Sequence, residues 1–323
     1  MWKKISAIVI PTIIAVGIIA FMLYSVWDNL LIALEHIVWA FLAVAVVICL
    51  CAWFVRGYRY QVILKGMEIR VGLFFSTATI FVSQTANLII PARLGDLVRV
   101  FILKHEKDTT VSQGLSSLVV ERIFDIVTVA LIGALALPFV LNVPEWFTTV
   151  IIIPLALGAV FFGVLLVSGR LASKNKYLQI VLTMAEQMRQ ASLTVRSMVV
   201  LSASSILTWI LDILVCLAVV LMFGQQIPFA VIALAIVIGN LVKAIPLTPG
   251  GVGTYELALA LTFSLAGVAP AEATLIAVID HLIKNLVTLA GGIASIYYFG
   301  GWVLDTIRSA FNRELEGGKK SGL

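Results

Sequence analysis

The chain has 323 residues, 61% of them hydrophobic and 12% charged, with a mean hydropathy of +1.10. Soluble domains carry roughly 25% charged residues, and the apolar runs here are continuous rather than alternating, so composition excludes a soluble domain and a β-barrel and predicts an all-α polytopic membrane protein. The net charge of +5 is spread between apolar runs with no aromatic-interleaved basic stripe, which excludes a nucleic-acid partner and fits the positive-inside rule instead.

Lys3 and Lys4 precede an apolar run from Ile5 to Trp27, read as the first span. Asp28 and Asn29 make a turn, and a second span runs from Leu31 to Val55, with Glu35 and His36 near its outer end. Arg56 to Arg70 reads as a basic connector. Val71 to Leu103 is then broken at Pro91. Its second limb, about twelve residues, covers roughly 18 Å, too short for a hydrocarbon core of about 30 Å. A re-entrant hairpin follows, with the charged connector Lys104 to Thr110 returned to the same side.

The third span is placed at Val111 to Leu141, a turn at Asn142 to Phe147, and the fourth span at Thr148 to Val167. The basic loop Ser168 to Arg196 has room for a short surface helix. The fifth span is Ser197 to Phe223. A second broken segment, Phe229 to Gly267, is read as another re-entrant hairpin; two short full spans would give the same charge count. The last span is Glu272 to Phe299, followed by a basic tail. On this reading seventeen of the 22 Lys and Arg lie inside, none outside, and five within apolar runs. Both termini are therefore expected in the cytoplasm and the protein in the cell membrane.

The fold expected is six full spans plus two re-entrant broken helical hairpins in an inverted repeat. The halves are 1–145 with hairpin 71–103 and 146–302 with hairpin 229–267; 303–323 is the tail, and the whole is a single transmembrane domain. The two breaks read alike. Each has an Asn (Asn87, Asn240), then a Pro (Pro91, Pro246), a Gly four residues later (Gly95, Gly250), and an acid further on (Asp96, Glu256). Pro removes a backbone donor and Gly frees the chain from helical geometry. Freed backbone in a bilayer needs protein or a wet cavity, and paired breaks in corresponding halves point to a transport site. The breaks are expected to approach each other near the midplane.

Charges at depth line cavities or pair with one another. Helix N-termini after each break, with Arg93 and Arg99, suit a phosphate. Internal neutralisation is the competing account, through Asp96–Arg99 and Asp280–Lys284 pairs. Glu121, Arg122 and Asp125 share a helical face and serve either the substrate or the anchoring of Arg99. Asp212 reads as a lone acid. Thr254 reads as an N-cap, with Glu256 in the first helical turn. Gly250, Gly251 and Gly253 do not form a P-loop, because Lys-Ser/Thr is missing. Gly291-Gly292 marks close helix packing. The three cysteines, Cys49, Cys51 and Cys216, lie inside apolar runs and suit neither a disulfide framework nor a zinc site. No metal or other cofactor is expected.

These motifs resemble the transmembrane flippase domain of lysylphosphatidylglycerol synthases and its stand-alone relatives. The resemblance is carried by Asn87, Pro91, Arg93, Gly95 and Asp96; by Glu121, Arg122 and Asp125; and by Pro246, Pro249, Gly250, Gly251, Gly253 and Glu256. Two departures stand out. Asp96 replaces a Glu, and Asp280-His281 stands where relatives often carry Arg. The resemblance implies translocation of a lipid with an anionic or phosphate-bearing headgroup, not lipid aminoacylation, since these residues include no soluble aminoacyl-transferase domain. The paired breaks, the charges at depth and the resemblance together make Asn87, Arg93, Asp96, Arg99, Glu121, Arg122, Asp125, Asn240, Gly250, Gly251, Gly253, Glu256, Asp280 and His281 the candidate binding residues, with none catalytic. An intramembrane enzyme acting on a lipid phosphate would need His281, Asp125 or Glu256 as its base. An accessory subunit of an envelope glycosyltransferase is the third reading, and a homo-oligomer stays open.

Overall fold

The computed structural model describes residues 13, 16–24, 27, 37–90, 93–140, 144–169, 175–245 and 247–305. Among these residues the chain is all-helical, with no strand. The expected first span falls mostly outside them; residues 16–24 are helical. The helices that follow are α1 (Trp39–Gly66), α2 (Leu73–Ile89), α3 (Gly95–Lys107), α4 (Val111–Ala136), α5 (Trp146–Ser168), α6 (Lys176–Ser192), α7 (Val195–Met222), α8 (Phe229–Ala244), α9 (Thr254–Leu265) and α10 (Pro270–Phe299). Four of them, α1, α5, α7 and α10, are long and apolar enough to cross a membrane. Helices α2 and α8, with 17 and 16 residues, are apolar but shorter.

The second span differs from its expected bounds. Helix α1 starts at Trp39 and runs through the expected connector to Gly66, so Arg56 and Arg59 lie inside it. Arg59 is 1% exposed. Charge did not end the helix because its partners sit on neighbouring helices rather than in water. The buried positions Ala52, Trp53, Arg59, Tyr60 and Ile63 keep a helical period across the supposed boundary.

Both broken segments are resolved into two limbs. Ile90 leaves α2 in an extended conformation, and α3 restarts at Gly95. Ile245 likewise leaves α8; a 3-10 turn, Pro249–Gly251, precedes α9. Helix α4 opens on a capping box, Thr110 with Gln113, which satisfies two orphan donors. The expected surface helix is α6, whose N-terminus is capped by Asn175. Its N-terminal half leaves Tyr177, Leu178, Ile180 and Val181 exposed, and its C-terminal half buries Ala185 and Ala191. Hydrogen bonds from the Arg189 guanidinium hold the Glu186 carboxyl there below its usual range.

Helix α1 packs most extensively against α7. Each broken segment folds back on itself, α2 on α3 and α8 on α9, and the first limbs cross over: α2 packs against α10 and α8 against α4. The α2–α10 contact depends on the Gly pair. A Cβ on Gly292 would lie 1.9 Å from Thr85 Oγ1, and one on Gly291 would lie 2.3 Å from the Phe81 ring. Gly292→Val is therefore expected to destabilise the protein by about 1–3 kcal/mol, the usual range for overpacking, read as a lower melting temperature in detergent. Unchanged melting would mean α10 can slide off α2 at no cost.

Candidate functional site

The first break is shaped by Arg93, whose φ of 56° places a non-glycine residue in the left-handed region. Gly95 then lets α3 start hard against α2, since a Cβ there would lie 2.4 Å from the Asn87 backbone nitrogen. Asp96, in the first turn of α3, receives hydrogen bonds from Ser83 (3.1 Å), Gln84 (3.2 Å) and Asn87 (2.9 Å) on α2 and from Arg122 (3.0 Å) on α4. The expected Asp96–Arg99 pair is only a 4.0 Å approach. Spacing of i,i+3 permitted it, but four donors from two other helices have taken the carboxylate.

At the second break, Gly250, Gly251 and Gly253 all have positive φ, at 63°, 76° and 85°. The chain turns there at little cost because these residues have no Cβ. The N-cap of α9 is Gly253 rather than Thr254. Glu256 does the capping, its Oε2 accepting the Gly253 N–H at 2.7 Å, while the Thr254 hydroxyl donates to the Gly251 carbonyl at 3.1 Å. An acid thus occupies the first turn of each second limb. The attraction of these N-termini for a ligand anion is offset by the protein's own carboxylates.

The two breaks meet. Arg93 Nη2 donates to the Lys243 carbonyl at 2.9 Å, and a Cβ on Gly250 would lie 2.9 Å from Leu88 Cδ2. Around this junction is a cavity of about 190 Å³. Its wall includes Asn87, Arg93, Glu121, Arg122, Asp125, Asn240, Gly250, Gly251 and His281 from the sequence-based set. Asp96, Arg99, Gly253, Glu256 and Asp280 stand outside that wall. Asp212, Lys243 and Lys284, charges that the sequence places at depth but outside the candidate binding set, also line it, as do Arg56, Trp53, Trp209 and Tyr255, which sequence reasoning left out.

Most of the charge is neutralised in two clusters. In the first, Glu121 bonds Arg99 and faces Arg59 at 3.4 Å; Asp125 takes Arg59 at 2.6 Å; Arg122 pairs with Asp96. Arg99 is fully buried and anchors α3 to α4. In the second, Asp212 takes Arg56 at 3.0 Å and Lys284 at 3.6 Å. Asp212 is therefore not a lone acid. The expected Asp280–Lys284 pair is present at 3.0 Å, with the Tyr255 hydroxyl donating to Asp280 at 2.7 Å.

Around the site, three charged groups among the described residues are left over from these clusters. Arg93 and Lys243 have no carboxylate within 4.0 Å, and Glu256 has no Arg or Lys within that distance. His281 joins two of the three. Its Nδ1 lies 2.7 Å from Glu256 Oε1 and its Nε2 lies 2.9 Å from Lys243 Nζ. Among the described residues no group of His, Cys, Asp and Glu could hold a metal ion.

The apolar helices and the buried, charge-lined break define an all-helical integral membrane protein with a polar interior site. The chain belongs to the family described as the lysylphosphatidylglycerol synthase TM region, whose profile matches residues 8–292. It is 32% identical over 302 residues to glycosyltransferase AglD of Haloferax volcanii, an alignment covering 80% of this chain and 48% of that protein. This chain thus spans about half of AglD. The UPF0104 membrane protein MJ1078 of Methanocaldococcus jannaschii is 27% identical over 217 residues, covering 65% of this chain and 92% of its own. A UPF0104 membrane protein of Methanothermobacter thermautotrophicus is 26% identical over 302 residues, covering 84% and 87%. No solved structure matches the chain.

Proposed function

We propose that the protein translocates a lipid with a phosphate-bearing headgroup between leaflets, the headgroup being held by Arg93 and Lys243 where the two breaks meet. The observation that carries this reading is that both cations line the cavity without a carboxylate partner. Both are half-buried, and a cation drawn even partly out of water without a counter-charge is disfavoured, a cost that an anion offsets. Arg adds a planar fork matched to phosphate. Arg99, Asp96 and Glu256 serve this site by holding the limbs in place.

The arrangement that suits this activity has six spans, with two re-entrant hairpins in an inverted repeat of residues 1–145 and 146–302. Its support is the exchange of partners: α2 rests on α10 as α8 rests on α4, while α1 and α7 face each other. The distribution of Lys and Arg favours a cell-membrane protein with both termini cytoplasmic. With no nucleotide-binding motif among these residues, transport is passive or driven by an ion gradient.

Reconstitution tests the function. Purified protein in liposomes is expected to carry a fluorescent phosphatidylglycerol from the inner to the outer leaflet, where an impermeant quencher reaches it, and to leave a neutral diacylglycerol analogue at the rate of empty liposomes. Equal acceleration of both lipids by the protein, or no rate above protein-free liposomes for phosphatidylglycerol, would remove the proposal. The likeness to AglD favours one second reading, a membrane module that serves a glycosyltransferase. That reading predicts lipid movement or glycosyl transfer only when such an enzyme is added.

A further inference from the structure

We propose that headgroup binding takes up one proton, held on His281, so that the anion moves with a proton as its co-substrate. This rests on the cavity reading above and adds the species that travels with the lipid. The geometry is a three-membered chain: Glu256, His281 and Lys243. A carboxylate only accepts, so Nδ1 carries the hydrogen that bonds Glu256; an ammonium only donates, so Nε2 accepts from Lys243. The imidazole in this arrangement is neutral and the chain of three carries no net charge.

A proton added at Nε2 makes that nitrogen a donor. It then faces the Lys243 ammonium donor to donor, and their hydrogen bond is lost. Lys243 lines the cavity beside Arg93 and turns its N–H groups to an anion there. The imidazolium stays on Glu256, which gains the cation it otherwise lacks. The balance closes: one proton enters, the three groups carry +1, and a phosphodiester carries −1. By linkage, the same anion that draws Lys243 away favours the proton on Nε2, and the proton strengthens the hold on the anion by the same factor.

The surroundings single out His281. Lys243 faces it from α8, Glu256 and the Tyr255 ring from α9 (4.5 Å between ring centroids), and Asp280 and Lys284 flank it on α10. Asp212 from α7 and Arg56 from α1 lie beyond Lys284, and α2 brings no titratable side chain to α10. A proton on Asp125, Asp212 or Asp280 would break an ion pair already made with Arg59, Arg56 or Lys284. A proton on His281 breaks none and creates one.

The test is calorimetric titration of the full chain in detergent with dioctanoyl phosphatidylglycerol, whose phosphodiester does not titrate between about pH 5 and about pH 8. Buffers of differing ionisation enthalpy report the protons taken up. The expected result is uptake approaching one proton per lipid, with affinity falling about tenfold per pH unit once the imidazole is neutral. His281→Gln is expected to bind with no uptake and an affinity independent of pH. Wild-type binding without uptake, or equal uptake by the variant, overturns the coupling and leaves the anion site standing. No wild-type binding at any pH overturns both.

Discussion

Glu121→Ala is expected to produce the largest loss of stability of any single change in the site. Glu121 is the bonding partner of Arg99 and also faces Arg59, and both arginines are almost wholly buried. Removing one partner of a buried ion pair typically costs about 3–5 kcal/mol, because the remaining charge is stranded. Here α3 would also lose its tie to α4. We expect little folded protein after detergent extraction, measured by size exclusion after stepwise heating. A double change, Arg99→Met with Glu121→Met, should recover much of the loss, since apolar replacement of a whole buried pair is often neutral, and Arg59 keeps Asp125. If Glu121→Ala melts like the wild type, the cluster contributes nothing to the fold.

Arg93→Ala is expected to have the largest effect on transport while leaving the fold intact. Arg93 makes one bond to a backbone carbonyl and no ion pair, so its removal strands no buried charge. Alanine also has a Cβ, so the left-handed strain at this residue is unchanged. The lost charge-assisted bonds to phosphate are worth roughly 1.5–3 kcal/mol, about tenfold or more in affinity. Headgroup translocation in liposomes should fall accordingly, and anionic lipid should no longer raise the melting temperature. Arg93→Lys keeps the charge without the fork and should fall between. Wild-type transport and wild-type stabilisation in Arg93→Ala would place the anion elsewhere.

The breaks were legible because proline and glycine act locally. Pro91 and Pro246 forbid a continuous helix whatever surrounds them, and the structure ends α2 at Ile89 and α8 at Ala244. The Asp280–Lys284 pair was legible for the same reason, being one helical turn apart. Partnerships between distant helices were not. Arg56 and Arg59 read as a solvated connector because Asp212, Asp125 and Ser205 lie 156, 66 and 146 residues away. For Asp96 the sequence offers only Arg99 as a local partner, the competing account to binding, whereas the fold supplies Arg122 from α4. The signal available was the buried helical period running through Arg59 and Tyr60. Thr254 was a sound local choice for a cap, displaced because Gly253 takes a φ of 85° and Glu256 reaches back to its N–H.

The hydrogen bonds of Arg93 and Lys243 go to neutral acceptors, a peptide carbonyl and an imidazole nitrogen. A hydrogen bond with one charged member is worth about 1.5–3 kcal/mol net, and both of these bonds already have a cationic donor. Trading these acceptors for phosphate oxygens therefore gains only about 1 kcal/mol per bond, and the reverse trade loses as little. Under the proposed function, such a site grips its cargo lightly. Residence is short, turnover is governed by how fast the lipid can leave, and mutations that tighten the grip are expected to slow the cycle rather than speed it.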